Sequence, residues 1–102
     1  MSYHYLGDAL FNVTNYEEAV GPYGKAIELN PDSAYTYINL GHTFFELGSY
    51  DKAVVNFQKG IELAPDSFWA YYSLGDALAC LGKIDEASLY YYEAVKVDPN
   101  PH

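Results

Sequence analysis

Two pairs of side chains four residues apart are of types that zinc accepts: His42 with Glu46, and Asp76 with Cys80. On helices, such a spacing brings each pair to one face, so four ligands could confront one another across neighbouring helices. Against a site stands the lack of any established ligand motif, and helices packed about 8–10 Å apart need not bring these side chains within bonding distance. No metal and no cofactor is therefore assigned. Cys80, the single cysteine, has no internal disulfide partner and no identifiable activating base, so it reads as a half-buried small residue rather than a nucleophile. The chain has no Gly-rich phosphate loop, no GxSxG and no HExxH, and no enzyme is expected. Asn12-Val13-Thr14 matches the glycosylation sequon, but without an export signal it reads as coincidence.

The 102 residues allow one small domain or three copies of a short unit. Five Lys plus Arg stand against 14 Asp plus Glu, a formal charge of −9 that repels phosphate backbones and anionic lipid headgroups. Neither nucleic acid nor a membrane is an expected partner. Half of the residues are hydrophobic and 18% aromatic, with 12 Tyr, enough apolar surface to offset the entropy of folding. No run of 18 apolar residues occurs and Met1-Ser2-Tyr3-His4 lacks the features of a signal peptide, so a soluble, cytoplasmic protein is expected.

Comparing the sequence with itself at an offset of 34 reveals the organisation that must position these side chains. Tyr3, Leu6, Gly7, Ala19 and Pro31 recur as Tyr37, Leu40, Gly41, Ala53 and Pro65, then as Tyr71, Leu74, Gly75, Ala87 and Pro99. Tyr37, Leu40, Gly41 and Phe44 fall at i, i+3, i+4 and i+7, and Ala53, Phe57, Gly60 and Ile61 repeat that spacing, which predicts two helices per unit. Thr14-Asn15, Gly48-Ser49 and Gly82-Lys83 break each pair, with Gly48 and Gly82 suited to the left-handed conformation that ends a helix. Asn15 and Ser49 can cap the second helix, whereas Lys83 offers no cap oxygen. Asn30-Pro31-Asp32, Ala64-Pro65-Asp66 and Asp98-Pro99-Asn100 separate the units, with Asp or Asn placed to cap the next helix. Short connections make neighbouring helices antiparallel. Small residues at Gly41, Gly75, Ala53 and Ala87 leave room at the helix crossing for Tyr37, Phe44 and Phe57.

This pattern of aromatic, Leu-Gly, small, aromatic, small and Pro resembles the tetratricopeptide repeat family, over units 1–33, 34–67 and 68–101. The resemblance implies an all-α fold: three stacked antiparallel helix–turn–helix repeats forming a right-handed solenoid. Its first helices would line a concave groove that binds peptides or other proteins. By the family's pattern the groove side chains are Met1, His4, Tyr5, Asp8, Phe11 and Asn12 in the first unit. The second contributes Tyr35, Ile38, Asn39, His42, Phe45 and Glu46, and the third Trp69, Tyr72, Ser73, Asp76, Ala79 and Cys80. One subgroup grips the C-terminal carboxylate of chaperones with Lys, Asn and Arg side chains. Here His4, Asp8, Asn39, Trp69 and Ser73 occupy the corresponding places; only Asn39 matches, and Asp8 would repel a carboxylate. An apolar or basic protein or peptide is the expected partner, drawn to aromatic surface and to Asp8, Glu46 and Asp76.

Two further expectations concern stability and assembly. Gly21-Pro22-Tyr23-Gly24 lies inside the second helix of the first unit, where an interior proline costs about 3 kcal/mol and each glycine about 1 kcal/mol, predicting a kinked or frayed helix. No capping helix follows the third unit, so its outer residues, among them Leu89, Tyr90, Tyr92 and Val97, are expected to serve self-association into a homo-oligomer. The coincidence of the termini with unit boundaries suits an excised or designed array. A structural or self-assembling unit with no ligand is the alternative to an interaction module.

Overall fold

The local signals of helix and break translate directly into six helices in a computed structural model that describes residues 3–97. They are α1 Tyr3–Asn12, α2 Tyr16–Leu29, α3 Ala34–Glu46, α4 Tyr50–Leu63, α5 Phe68–Cys80 and α6 Ile84–Val97, with no strand among the described residues. Gly48 and Gly82 end α3 and α5 with φ of 79° and 81°. In the first unit Thr14 adopts the same conformation, φ 60°, which a β-branched side chain resists. Met1 of the expected groove and the Asp98-Pro99-Asn100 break lie outside the described residues.

Capping differs from expectation. The first-helix caps are Ser33 and Ser67, each one residue after the expected Asp, and only Ser67 accepts a backbone bond, from Ala70 N at 3.3 Å. The Ser33 hydroxyl oxygen instead accepts from Thr36 Oγ1. Asn15 and Ser49 stand at the cap positions of α2 and α4 without side-chain cap bonds, and the Asn15 amide donates to Glu18 Oε2 at 2.9 Å.

The expected fray at Pro22 is absent: α2 is an unbroken α-helix across Gly21-Pro22-Tyr23-Gly24. Proline removes one backbone donor, but Ala19 and Tyr23 on the inner face are completely or almost completely buried, and that packing overrides local propensity.

Each helix packs on its neighbours in sequence, which makes a stack of antiparallel pairs. The first helices α1, α3 and α5 also approach one another in succession, with Cα atoms within 8 Å, whereas α2, α4 and α6 come nowhere that close to one another. Closer approach on one layer than on the other curves the stack, so α1, α3 and α5 form its concave wall. The array is a helical repeat solenoid.

Three glycine–aromatic contacts set the helix crossings. A Cβ on Gly7, Gly41 or Gly75 would lie 2.7, 2.7 or 2.8 Å from the ring of Tyr23, Phe57 or Tyr91. The second-helix ring therefore lies flat against first-helix backbone, an approach open only to glycine. Gly60 does the same for Ile38. Around these crossings Ala19, Tyr23 and Leu40 form one buried cluster, and Ala53, Phe57, Leu74, Ala77, Leu78 and Ala87 another. Phe44 packs against both and joins the units into one core.

Candidate functional site

The concave wall is built from the first helices, whose 3.6-residue period turns one stripe of each toward the groove and the opposite stripe toward the second helices. Two depressions one repeat apart indent it. One, of about 220 Å³, lies between α1 and α3 and is lined by Asp8, Phe11, Asn12, Tyr23, Tyr35, Asn39 and His42. The other, of about 190 Å³, lies between α3 and α5 and is lined by His42, Phe45, Glu46, Trp69, Tyr72, Ser73 and Asp76. Phe11, Asn12, Tyr35 and Asn39 correspond to Phe45, Glu46, Trp69 and Ser73 in repeat register, so the two are versions of one station.

Of the expected groove residues, Tyr5, Tyr35, Trp69 and Tyr72 are exposed. Phe11 and Phe45 present half-buried rings, packed edge-on against Tyr16 and Tyr50 at 5.1 and 5.2 Å. Ile38 points elsewhere: it packs on Gly60 and the core, so it supports the wall from behind. Ser73 is buried, with its hydroxyl 3.4 Å from His42 Nε2. The His42 ring rests edge-on against Phe57 at 5.1 Å, and burial lowers its pKa, opposed by the charge of Asp76.

The three carboxylates of the wall are not equivalent. Asp8 accepts from the Tyr23 hydroxyl at 2.5 Å and from Asn39 Nδ2 at 3.0 Å, and it lies 3.2 Å from His4 Nε2. His4 is held on its other side by Thr36 Oγ1 at 2.8 Å, and its ring meets that of Tyr35 at 4.9 Å. Asp76 accepts from the Tyr91 hydroxyl at 2.5 Å. Burial, then hydrogen bonding to the carboxylate, pushes both phenol pKa values above the ordinary tyrosine range. Glu46 is exposed and has neither a hydrogen bond nor an ion pair among the described residues.

Tyr23 and Tyr91 are not among the expected groove residues because they belong to second helices. A signal was present: Asp8 with Tyr23 and Asp76 with Tyr91 are both 15 residues apart, and in the middle unit both change together, to His42 and Phe57. Also unforeseen is a cavity of about 750 Å³ at the outer end of α1, where Tyr3, Ala26, Leu29, Asn30, Ser33 and Thr36 join His4, Tyr5, Asp8 and Tyr35.

The zinc-type pairs do not assemble. Among the described residues no group of three or more His, Cys, Asp or Glu side chains is placed to hold a metal. Asp76 is engaged by Tyr91, and Cys80, the last residue of α5, is exposed rather than half-buried. No helix among the described residues is long and apolar enough to cross a membrane.

Comparison with known proteins bears on the whole array. A family model described as "TPR repeat" matches residues 7–48 and 41–82, and one described as "Tetratricopeptide repeat" matches residues 68–101. No curated protein matches. Among solved structures, a crystal structure of MamA is 33% identical, with a TM-score of 0.92 over 95% of this chain and 57% of that one. A second MamA structure, MSR-1 C2, is 25% identical, with a TM-score of 0.91 over 95% of this chain and 56% of that one. The first TPR of Spaghetti (RPAP3), bound to the HSP90 peptide SRMEEVD, shares the fold with a TM-score of 0.94 at 24% identity, over 97% of this chain and 79% of that one. The chain spans little more than half the length of the MamA chains.

Proposed function

From the premise that this chain belongs to the tetratricopeptide repeat family, we propose that it is a protein-interaction module that binds a peptide or partner protein along its concave wall, without catalysis or a cofactor. Its three units, 1–33, 34–67 and 68–101, act as one binding domain. The observation that carries this reading is the pair of repeat-related depressions, each lined by aromatic side chains from successive first helices and bordered by exposed Tyr35, Trp69 and Tyr72. Aromatic rings bury large areas at little entropic cost, which suits them as anchors for a peptide.

The expected partner is apolar or basic. A C-terminal carboxylate is a poor ligand: Asn39, the one residue matching a carboxylate-gripping groove, already donates to Asp8. Of a neighbour that is 24% identical only the fold carries over, so the peptide bound by the Spaghetti TPR is not taken as this chain's ligand. The test is a peptide array probed with the folded domain beside a variant carrying Tyr35→Ala, Trp69→Ala and Tyr72→Ala. Binding by the parent and its loss in a variant with an unchanged circular dichroism spectrum is the expected result; equal binding by both refutes the assignment.

A second reading, homo-oligomeric assembly, draws on α6, where Leu89, Tyr92 and Val95 are 67%, 64% and 52% exposed. Light scattering decides it, because assembly requires a mass that grows with concentration.

A further inference from the structure

All five Lys plus Arg of the chain are lysines, and none lies on a concave-wall helix. Lys25, Lys52, Lys59 and Lys96 are on second helices, and Lys83 precedes α6. The formal charges of α1, α3 and α5 are Asp8, Glu46 and Asp76, so the wall presents negative charge alone wherever its histidines are neutral. Tyr23, Asn39 and His4 engage Asp8, and Tyr91 engages Asp76. Glu46 alone retains its full capacity to accept, on the rim of the depression between α3 and α5.

The same depression has two aromatic walls. The rings of Trp69 and Tyr72 stand 6.3 Å apart at 82°, a corner open to solvent at Trp69, which is 60% exposed. An indole face is the strongest aromatic attractor of a cation, and a carboxylate beside it adds direct charge pairing. We infer that this depression is the seat of a lysine side chain of the bound peptide, its stem along Trp69 and Tyr72 and its ammonium at Glu46; the inference rests on the concave-wall reading above. Lysine suits the seat better than arginine, because one unshared carboxylate in a space of about 190 Å³ matches a point charge on a slender stem, whereas a guanidinium calls for bidentate, planar pairing. The station one repeat earlier is a natural control: Asn12 holds the place of Glu46 and Tyr35 that of Trp69, so it retains an aromatic ring without the free charge.

Trp69 is the only tryptophan, so indole fluorescence reports on this seat. The probe is the peptide acetyl-Ala-Ala-Leu-Lys-Leu-Ala-Ala-amide, titrated to millimolar concentration beside the same peptide carrying Nε-acetyl-lysine. The lysine peptide is expected to change Trp69 emission and to bind about tenfold more tightly than its acetylated twin. Glu46→Gln abolishes that preference, and adding Asn12→Glu to Glu46→Gln restores a lysine preference at the neighbouring station, measured by calorimetry. Both positions are exposed ends of their helices, and thermal melts confirm that the variants fold. Equal affinity for the two peptides, a preference that survives Glu46→Gln, or no Trp69 response overturns the lysine seat. The concave-wall reading stands or falls separately: array peptides that bind and are lost in the triple aromatic variant, yet show no lysine preference, remove the seat and leave the module.

Discussion

The phenol of Tyr23 donates a hydrogen bond to Oδ1 of Asp8 across 2.5 Å, tying the second helix of the first unit to a carboxylate of the concave wall. Tyr91 and Asp76 repeat it in the third unit, and Phe57 beneath His42 is the middle unit's apolar version of the same contact. One register position thus alternates between a charge-assisted bond and a ring-on-ring contact, while the glycine beneath each ring stays the same.

Removing the Tyr23 hydroxyl tests what that bond contributes. Tyr23→Phe keeps the ring, and Phe57 shows that phenylalanine fits the crossing, so the loss isolates a hydrogen bond to a charged acceptor: about 2 kcal/mol, read by urea denaturation. The same change gives a pH signature. The folded state holds the phenol proton to higher pH than the unfolded chain, whose tyrosines titrate near 10, so this contribution is complete below about pH 10 and is lost as pH rises beyond it. The parent is expected to lose stability faster than Tyr23→Phe above pH 10.

His42 reports at the opposite end of the scale. Burial against Phe57 and Ser73 lowers its pKa below the ordinary value near 6.5, while Asp76 opposes the shift and Asp8 shares its depression. The unfolded chain takes up the proton first on acidification, so stability is complete above about pH 6.5 and falls as pH drops below it. Parent minus His42→Gln, compared by thermal melts from neutral to mildly acidic pH, isolates this histidine from His4 and the carboxylates; no pH dependence in that difference refutes the assignment.

Two glycines of one unit should respond oppositely to alanine. At Gly7 the new methyl meets the Tyr23 ring at 2.7 Å, and overpacking is expected to destabilise by about 1–3 kcal/mol. At Gly24, which no proline follows, no neighbouring element lies within 4 Å of the methyl, and the substitution in the interior of α2 is expected to stabilise by about 1 kcal/mol. Denaturant midpoints of the two variants, moving in opposite directions, check the helix-crossing geometry directly.

Thr14 carries backbone strain that its counterparts Gly48 and Gly82 avoid. Thr14→Gly is expected to stabilise by about 1 kcal/mol, the relief of a left-handed β-branched residue less the entropy of glycine, read as a rise in melting temperature. A fall in melting temperature would show that the Thr14 hydroxyl, which donates to the Val13 carbonyl, outweighs the strain.

The helices and their breaks were legible in the sequence because they rest on local rules. Periodic apolar residues marked both helices of each unit, and glycine at Gly48 and Gly82 marked the end of α3 and α5. The fray that those rules predict at Pro22 does not occur, since no local term contains the burial of Ala19 and Tyr23 that keeps α2 continuous. The caps fall one residue later than the local rule places them, on Ser33 and Ser67, and the Ser33 hydroxyl joins a chain with Thr36 and His4 that links two units, a contact between units that no local rule contains.

The sequence by itself determined the repeat, the helix pairs, the glycines at the crossings and first helices that carry tyrosine in every unit and no lysine or arginine, because each follows from residue type at a fixed spacing. Only the tertiary structure decided which wall residues are free to meet a ligand. Asp8, Glu46 and Asp76 look alike along the chain, yet phenols arriving from the second helices engage Asp8 and Asp76 and leave Glu46 unshared. The physical reason is that a hydrogen bond between side chains 15 residues apart exists only once two helices have docked at the distance their glycine and aromatic ring allow.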